Sequence, residues 1–377
     1  MKIGIDARLY GPKHGGIGRY IENLIKQLEI IDHDNQYFIF LSKNNYADYQ
    51  PQNNNFQKVL ADFKIYGFKE QLLFPLLLKK YQLDLVHFPH FNMPIFYNGR
   101  FIVTIHDLII THYPNSRATT LNPIVYKIKL LFYKIIVKIV AKKAKKIITV
   151  SEYSKNNVVK FLKVKPSKIT VTYEGVDLPK AGQADCNELK NKLGISQDFL
   201  LYVGSAYPHK NLEKLILAFK IIIDNNPDPS TPAGLQLVLV GKKNYFYNRL
   251  TKEIKKENLK NNVILTDYLN DNELVCLYKS AKLYVFPSLI EGFGLPPLEA
   301  QSYGLPVVSS NLTCLPEILG ESAIYFDPNN IQSMVKTIVD TFNNPVLMES
   351  LKHKGFDNVR QYSWRTCAFK TLEEYLN

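Results

Sequence analysis

Short apolar runs rich in β-branched and aromatic residues alternate along the chain with longer stretches whose apolar positions recur every three or four residues. The runs at 2–5, 37–41, 85–88, 101–105 and 146–150 predict one set of strands. Those at 199–203, 236–240, 263–265, 283–286, 306–309 and 323–326 predict a second. Strands that are apolar along their whole length belong in parallel sheets covered by helices on both faces, so the pattern predicts an α/β protein. Between the two sets, residues 175–197 mix glycine, proline and polar residues around one short helical pattern, as an interdomain connector does.

A boundary is therefore expected near Asp177, giving domains over 1–177 and 178–361. A C-terminal helix over 362–377 follows, with Trp364, Phe369, Leu372 and Tyr375 roughly on one face, able to pack back on either domain, the N-terminal one included. The length, 377 residues, suits two such cores. No Gly-x-Gly-x-x-Gly follows the first strand and there is no Walker loop, so a dinucleotide-binding dehydrogenase and a P-loop enzyme lose their main support. Two Rossmann-like halves without that fingerprint suggest a ligand held between domains, at the carboxyl ends of strands.

Charge adds a partner class. A formal net charge of +13 draws the chain toward something acidic: nucleic acid, anionic lipid or phosphorylated small molecules. From 117 to 146 there are nine basic residues and no acidic one, interleaved with Ile124, Val125, Ile128, Leu131, Phe132, Ile135, Ile136, Ile139 and Val140. This reads as a basic amphipathic helix, interrupted by lysine too often to span a bilayer. It either meets an anionic membrane surface peripherally or covers the N-terminal sheet and shows solvent a lysine face. No nucleic-acid-binding module accompanies the charge, so nucleic acid is set aside.

Cys186, Cys276, Cys314 and Cys367 lie far apart and form no CxxC pair or metal-spaced cluster, so a reducing cytoplasm fits best. The first ten residues read as a buried strand with no signal-peptide pattern, which makes secretion an unfavoured expectation and Asn311-Leu312-Thr313 an ordinary loop. Asp32-His33-Asp34 reads as a polar turn between a helix and a strand, not as a metal site, and no metal is expected.

The chemistry concentrates after predicted strands. Glu291-Gly292-Phe293-Gly294-Leu295-Pro296-Pro297-Leu298-Glu299 has the layout strand, glycine-rich turn, helix start. Such a turn aims the backbone N–H groups of Phe293, Gly294 and Leu295 at a ligand, and glycine allows close approach. Glu291 and Glu299, eight residues apart, can both border one elongated ligand if Glu299 is helical, and carboxylates accept hydrogen bonds from sugar hydroxyls. Gly15-Gly16 follows the first strand and opens a helix, a natural phosphate cradle.

With EGFGLPPLEA and GLPVVSS stand IGIDARLYGPKHGGIGRY at the start, VTIHDL at 103–108, TVSEYSK at 149–155, YEGVD at 173–177 and YVGSAYPHKNL at 202–212. In this order they make the chain resemble the retaining glycosyltransferases of family 4, especially their mannosyltransferase-like branch, over nearly its whole length. The resemblance implies the GT-B fold: two facing Rossmann-like domains with an interdomain cleft, the N-terminal one on the acceptor side and the C-terminal one binding the nucleotide sugar. It implies that Gly15-Gly16 faces the donor diphosphate or the acceptor. It implies that His106 contacts the transferred sugar, with Asp107 as local support.

Lys210, just after the first strand of the second half, is a point charge suited to a leaving diphosphate. Many members carry an arginine where this chain has Ser205, a departure that leaves one phosphate contact to His209 or Arg19. Glu317 resembles another recurrent position, equally explained by helix N-terminal charge complementarity. The expected reaction moves a hexose, mannose first, from a nucleoside diphosphate sugar to a saccharide or polyprenyl-linked saccharide. GDP-mannose is the favoured donor, and retention follows from same-face attack without a metal or other cofactor. Glu291 and the turn amides would position the sugar and Glu299 the ribose. A nucleotide-sugar epimerase and a noncatalytic nucleotide-sugar-binding scaffold are the rival expectations.

Overall fold

A computed structural model of the chain describes residues 1–113, 119, 122–176, 185–224 and 234–377. They form two compact units, Met1–Gly175 with Tyr362–Asn377, and Val176–Gln361. Asp177, where the sequence set the boundary, and Arg117, where it began the basic segment, lie outside the described residues.

The first unit contains β1 (Lys2–Asp6), α1 (Gly15–Ile31), β2 (Gln36–Leu41), β3 (Phe56–Leu60), α2 (Phe68–Lys80), β4 (Leu85–Phe88) and β5 (Phe101–Ile105). It continues with α3 (Ile109–His112), α4 (Pro123–Lys143), β6 (Lys146–Thr149), α5 (Glu152–Leu162) and β7 (Ile169–Val171). All seven strands are parallel, in the order β3-β2-β1-β4-β5-β6-β7. The chain thus works outward on one side of β1 and then returns to build the other side from β4. The reversal leaves a topological switch point between β1 and β4, where ligands of open α/β sheets bind.

Alternation along the strands sorts side chains onto two faces. On one, Val86, Phe88 and Val103 meet Phe74 of α2, Val140 of α4 and Val158 of α5. On the other lie His87 and Thr104, both fully buried, under α1 and the C-terminal helix. Right-handed crossovers account for this division: the chain runs one way across the sheet through α1 and the opposite way through α2, α4 and α5.

The second unit contains α6 (Cys186–Leu193), β8 (Phe199–Val203), α7 (Leu212–Asp224), β9 (Gln236–Val240), α8 (Tyr245–Lys256), β10 (Val263–Leu265), α9 (Asp271–Ser280) and β11 (Leu283–Phe286). Then come α10 (Leu295–Ser302), β12 (Val307–Ser310), α11 (Leu315–Leu319), β13 (Ala323–Phe326), α12 (Ile331–Phe342) and α13 (Pro345–Val359). Its six parallel strands follow the same plan, β10-β9-β8-β11-β12-β13, with the switch point between β8 and β11.

The last helix, α14 (Trp364–Leu376), belongs to the first unit. Tyr375 Oη meets His87 Nδ1 at 2.6 Å, Glu374 accepts from Thr170 at 2.7 Å, and the Trp364 ring lies 6.2 Å from that of Tyr20 on α1. Its buried stripe runs through Trp364, Cys367, Ala368, Thr371 and Tyr375. Phe369, expected on that face, is 55% exposed because position 369 falls off the stripe's three-and-four spacing.

The cysteines need a correction. Cys186 and Cys276, 90 residues apart, form a disulfide that ties α6 to α9, whereas Cys314 and Cys367 are free and buried. The reducing compartment inferred from their wide spacing does not fit this pair, since sequence separation says nothing about which helices become neighbours. Among the described residues no helix is long and apolar enough to cross a membrane.

Candidate functional site

In each unit the candidate residues sit at strand carboxyl ends. In the second unit, β8 leaves the sheet through Gly204 and a 3-10 turn, Pro208–Lys210, that is closed by Asn211. Asn211 adopts a left-handed conformation (φ 61°) and its amide donates to Pro328 O at 2.9 Å, which fixes the turn. β11 leaves on the other side of the switch point through 287–294, and α10 starts after Gly294, whose φ of 99° strains any side-chain-bearing residue. The two loops are joined where Leu289 N donates to His209 O at 2.8 Å.

This frame brings Lys210 and Glu291 together: Nζ lies 2.5 Å from Oε1, with both side chains largely buried. The ammonium also lies 5.6 Å from the centre of the Phe286 ring. A buried ion pair contributes little net stability, but removing one partner leaves the other charge uncompensated. The Glu291 turn is anchored from behind, since Glu291 N meets Thr313 Oγ1 at 3.3 Å and Cys314 Sγ lies 3.3 Å from Phe293 O. Thr313, read from sequence only as part of a loop, is thus a support of the turn. Glu299 lies within α10, half-buried, and accepts from Tyr278 of α9 at 3.1 Å. Ser205 is half-buried, and its carbonyl accepts from Tyr202 at 2.9 Å.

Of the two expected substitutes for the missing arginine, His209 shares the loop of Ser205 but does not carry an arginine's charge. Burial, aided by the charge of Lys210, pushes His209 down to about 4, so its ring is neutral near pH 7. That ring stacks on Tyr207 with centroids 5.8 Å apart. Arg19 belongs to α1 of the other unit.

In the first unit, α1 begins at Gly15, whose φ is 67°. A Cβ added at Gly15 or Gly16 would meet nothing within 4 Å, whereas one at Gly18 would strike Gly11 O at 2.0 Å. Gly18 therefore lets the helix press on its preceding loop, and the Gly15-Gly16 pair faces open space, as a cradle requires.

His106 follows β5 and is held on both sides. Nδ1 lies 3.1 Å from Glu174 Oε1 and Nε2 lies 2.9 Å from Pro89 O. The Pro89 carbonyl can only accept and an ionised Glu174 carboxylate accepts too, a setting that favours the charged ring, which donates from both nitrogens. Burial opposes this charge, but the Glu174 carboxylate and the Pro89 carbonyl outweigh burial and raise its pKa. The Tyr20 ring meets it edge-on at 4.7 Å. Asp107, expected as local support for His106, accepts from Ile109 N at 2.9 Å at the start of α3, and its charge also helps to raise the pKa of the ring, whose direct side-chain partner is Glu174. Sequence reading quoted Glu174 within YEGVD and gave it no role; with 68 residues between the partners, no local spacing signals the pair.

Other sequence candidates settle into structural roles. Burial alone would push Asp32 up, but the Tyr37 hydroxyl, Asn35 and the amides of Asp34 and Asn35 hold it below the usual range. Glu317 lies in the first turn of α11. Among the described residues no cluster of histidine, cysteine and carboxylate side chains could hold a metal. Two cavities of about 400 and 420 Å³ open at the amino-terminal edges of the sheets, near Asp198 and Lys282 and near Lys145 and Lys168, away from these residues.

The family model described as glycosyl transferases group 1 matches residues 185–357, and that of glycosyltransferase family 4 matches 14–180. O-antigen chain mannosyltransferase B of Escherichia coli is 27% identical over 386 residues, covering 96% of this chain and 95% of its own. O-antigen chain mannosyltransferase RfbU of Salmonella typhimurium is 28% identical over 305 residues, covering 78% and 76%. Sucrose-phosphate synthase of Thermosynechococcus elongatus superposes with a TM-score of 0.78 at 18% identity, covering 100% of this chain and 98% of that one. The two family models and the mannosyltransferase relatives make this chain a glycosyltransferase, and its two parallel sheets have the GT-B topology. The chain belongs to glycosyltransferase family 4.

Proposed function

We propose that this glycosyltransferase moves a hexose, mannose in the first instance, from a nucleoside diphosphate sugar to a saccharide or lipid-linked saccharide with retention at the anomeric carbon. The observation that carries the reading is the Lys210–Glu291 pair at the switch point of the second sheet. The donor diphosphate would take Lys210 as its counter-charge and release Glu291 to accept from sugar hydroxyls. Exchanging one anionic partner for another keeps the buried ammonium compensated throughout.

As the glycosidic bond breaks, charge grows on the diphosphate, and a fixed cation stabilises that state more than the ground state. The departing phosphate then accepts the proton of the attacking hydroxyl on the same face of the sugar. Phe293, Gly294 and Leu295 supply turn amides to the donor, Glu299 holds the ribose from α10, and Ser205 lines the diphosphate loop. Gly15-Gly16 offers the cradle of the first unit. His106, with both ring nitrogens already engaged, acts on the transferred sugar as a fixed positive charge rather than through a ring N–H. Transfer is metal-independent on this reading.

The names of the two O-antigen mannosyltransferases favour mannose, with GDP-mannose as first donor, and an acceptor in surface polysaccharide synthesis.

A thermal-shift panel of nucleoside diphosphates and their sugars tests the donor, because a ligand of the native state raises apparent stability. Product analysis with the stabilising sugar in excess EDTA follows. Stabilisation by one nucleoside diphosphate family, with retained transfer in EDTA, is the expected result. Activity that vanishes in EDTA and returns only with a divalent ion contradicts the metal-free route, and epimerised donor without acceptor contradicts the transferase assignment.

A further inference from the structure

The solvent-facing sides of α2 and α4 are not those of ordinary surface helices. α2 buries Phe74 and Leu78 against the first sheet, yet Phe68, Leu72, Leu73 and Leu76 on its other sides are 92, 61, 44 and 63% exposed. A helix that covers a sheet from outside ordinarily turns polar residues to solvent, and the outer sides of this one carry these four large apolar residues between its lysines. α4 departs in the same way. Val137, Val140 and Ala141, near its C-terminal end, are buried in the core, and Tyr133 and Ile136 pack against it half-buried. Ile124, Ile128, Leu131, Phe132 and Ile135 are 46 to 69% exposed. The helix shows solvent its lysines, and its N-terminal half shows these apolar side chains beside them.

Geometry explains the overhang: 21 residues of helix span about 31 Å, roughly twice the length of the five-residue β5 that precedes it. Because α4 returns from the carboxyl end of β5 to the amino end of β6, the projecting half lies toward the carboxyl edge, where His106 and Gly15-Gly16 sit.

The two helices share one face of the sheet and are linked across it. Gln71 of α2 accepts from Ile95 N at 2.8 Å, and Lys143 of α4 donates to Ile95 O at 3.1 Å. Their charge has one sign. α4 carries six lysines, all exposed, and no acidic residue; α2 exposes Lys69, Lys79 and Lys80. The one acidic residue of α2, Glu70, is turned inward, fully buried, onto Arg8 at 2.7 Å and Asn92 at 2.8 Å. Arg8 in turn holds Asp6 at the end of β1 at 2.6 Å, so the cluster that locks α2 to the sheet also removes its negative charge from the surface.

We propose that α2 and α4 together form a docking surface for an anionic lipid bilayer, with leucine, isoleucine and phenylalanine entering the acyl boundary and lysine meeting the head groups. An apolar face ringed by uncompensated lysines matches a surface that offers apolar depth and anionic charge together. A protein partner would need acidic side chains around an apolar ridge, and a second copy of the same basic face would repel its mate. The placement deepens the proposed function: it brings the bilayer beside the edge that carries His106 and Gly15-Gly16, where a lipid-linked acceptor would arrive. The surface itself stands independently of that reading.

Co-sedimentation of the full chain with phosphatidylcholine vesicles, and with vesicles that also contain phosphatidylglycerol, tests the proposal. The parent should bind the anionic vesicles and release with added salt. The α2 double variant Leu72→Glu/Leu76→Glu should bind them roughly tenfold more weakly or less, and so should the α4 double variant Leu131→Glu/Phe132→Glu, with circular dichroism unchanged. Equal binding of the parent to neutral vesicles overturns the choice of occupant. An α2 variant that binds like the parent overturns the two-helix surface. A dimer that these substitutions dissociate, formed by a chain that ignores vesicles, assigns the surface to a second copy and overturns the proposal. Transfer to a water-soluble acceptor is a separate readout: both variants should retain it, and its absence in the parent would count against the transferase reading alone.

Discussion

The imidazole of His106 lies between two partners, Pro89 O and Glu174, and it is chiefly Glu174, 68 positions away, that raises its pKa against the effect of burial. Glu174→Gln keeps the shape of the contact and removes the carboxylate, so the raised pKa of His106 should fall. If a charged ring is needed, transfer by this variant should decline at a lower pH than in the parent, a shift of the alkaline limb that a pH–rate profile reads directly. A profile that scales down without shifting would make Glu174 a structural support only. His209 illustrates the opposite balance: beside Lys210 and largely buried, it is pushed down to about 4 and cannot supply the charge of the arginine that Ser205 replaces. Such outcomes were not legible in the sequence, because Lys210 and Glu291, like His106 and Glu174, are separated by 81 and 68 residues. What could be read was the position of each residue at a strand end.

At the scale of elements, the hydrophobic pattern revealed the central strands because each is buried along its length, and it missed β3 and β7 for a physical reason. Both are outermost strands; β3 exposes Gln57 and Leu60, and β7 has only three residues, so neither needs a continuous apolar run. The start of α1 separates fold from function. Gly18→Ala should destabilise the first unit, since its Cβ would collide with the Gly11 carbonyl. Gly16→Ala meets open space in a helix's first turn and should leave thermal stability unchanged or raised, while ligand binding falls if the pair is a cradle. Unchanged binding and transfer in Gly16→Ala would remove it from the site. Likewise the disulfide joins α6 to α9 across 90 residues, and Cys276→Ser should cost about 2–4 kcal/mol in oxidising buffer and nothing in the presence of a thiol reductant. Equal melting of parent and variant under oxidising conditions would show that the pair does not constrain the unfolded chain. A reducing compartment would hold the pair as thiols, so its redox state in cells reports the compartment in which the chain resides.

For the whole molecule, three histidines with lowered pKa values, His87 buried and His90 and His209 half-buried, should shape the acid side of stability. Burial pushes His87 and His90 down to about 3 and His209 to about 4. Their folded values lie below the unfolded value of about 6.5, so the stability they contribute is present above that pH and is lost as pH falls toward 3 to 4. His106 has the reverse sign: its raised value gives stability that is complete below about 6.5 and is lost as pH rises through the folded value. Denaturant midpoints should therefore drop steeply on acidification below about 6.5, and His87→Asn should flatten that slope; an unchanged slope would mean that other groups carry the transition. The central claim, that Lys210 and Glu291 divide the work of donor binding and sugar transfer, is tested most directly by calorimetry with the stabilising nucleoside diphosphate and single-turnover transfer in Lys210→Ala, Glu291→Gln and the double variant. Lys210→Ala should weaken diphosphate binding and transfer together. Glu291→Gln should bind free diphosphate as well as the parent or better, because Lys210 is released from its partner, while transfer falls roughly 10²-fold. The double variant should fall short of the sum of the two losses, since each single change already breaks the pair. Parental transfer by Glu291→Gln, or unchanged diphosphate binding by Lys210→Ala, would contradict the account.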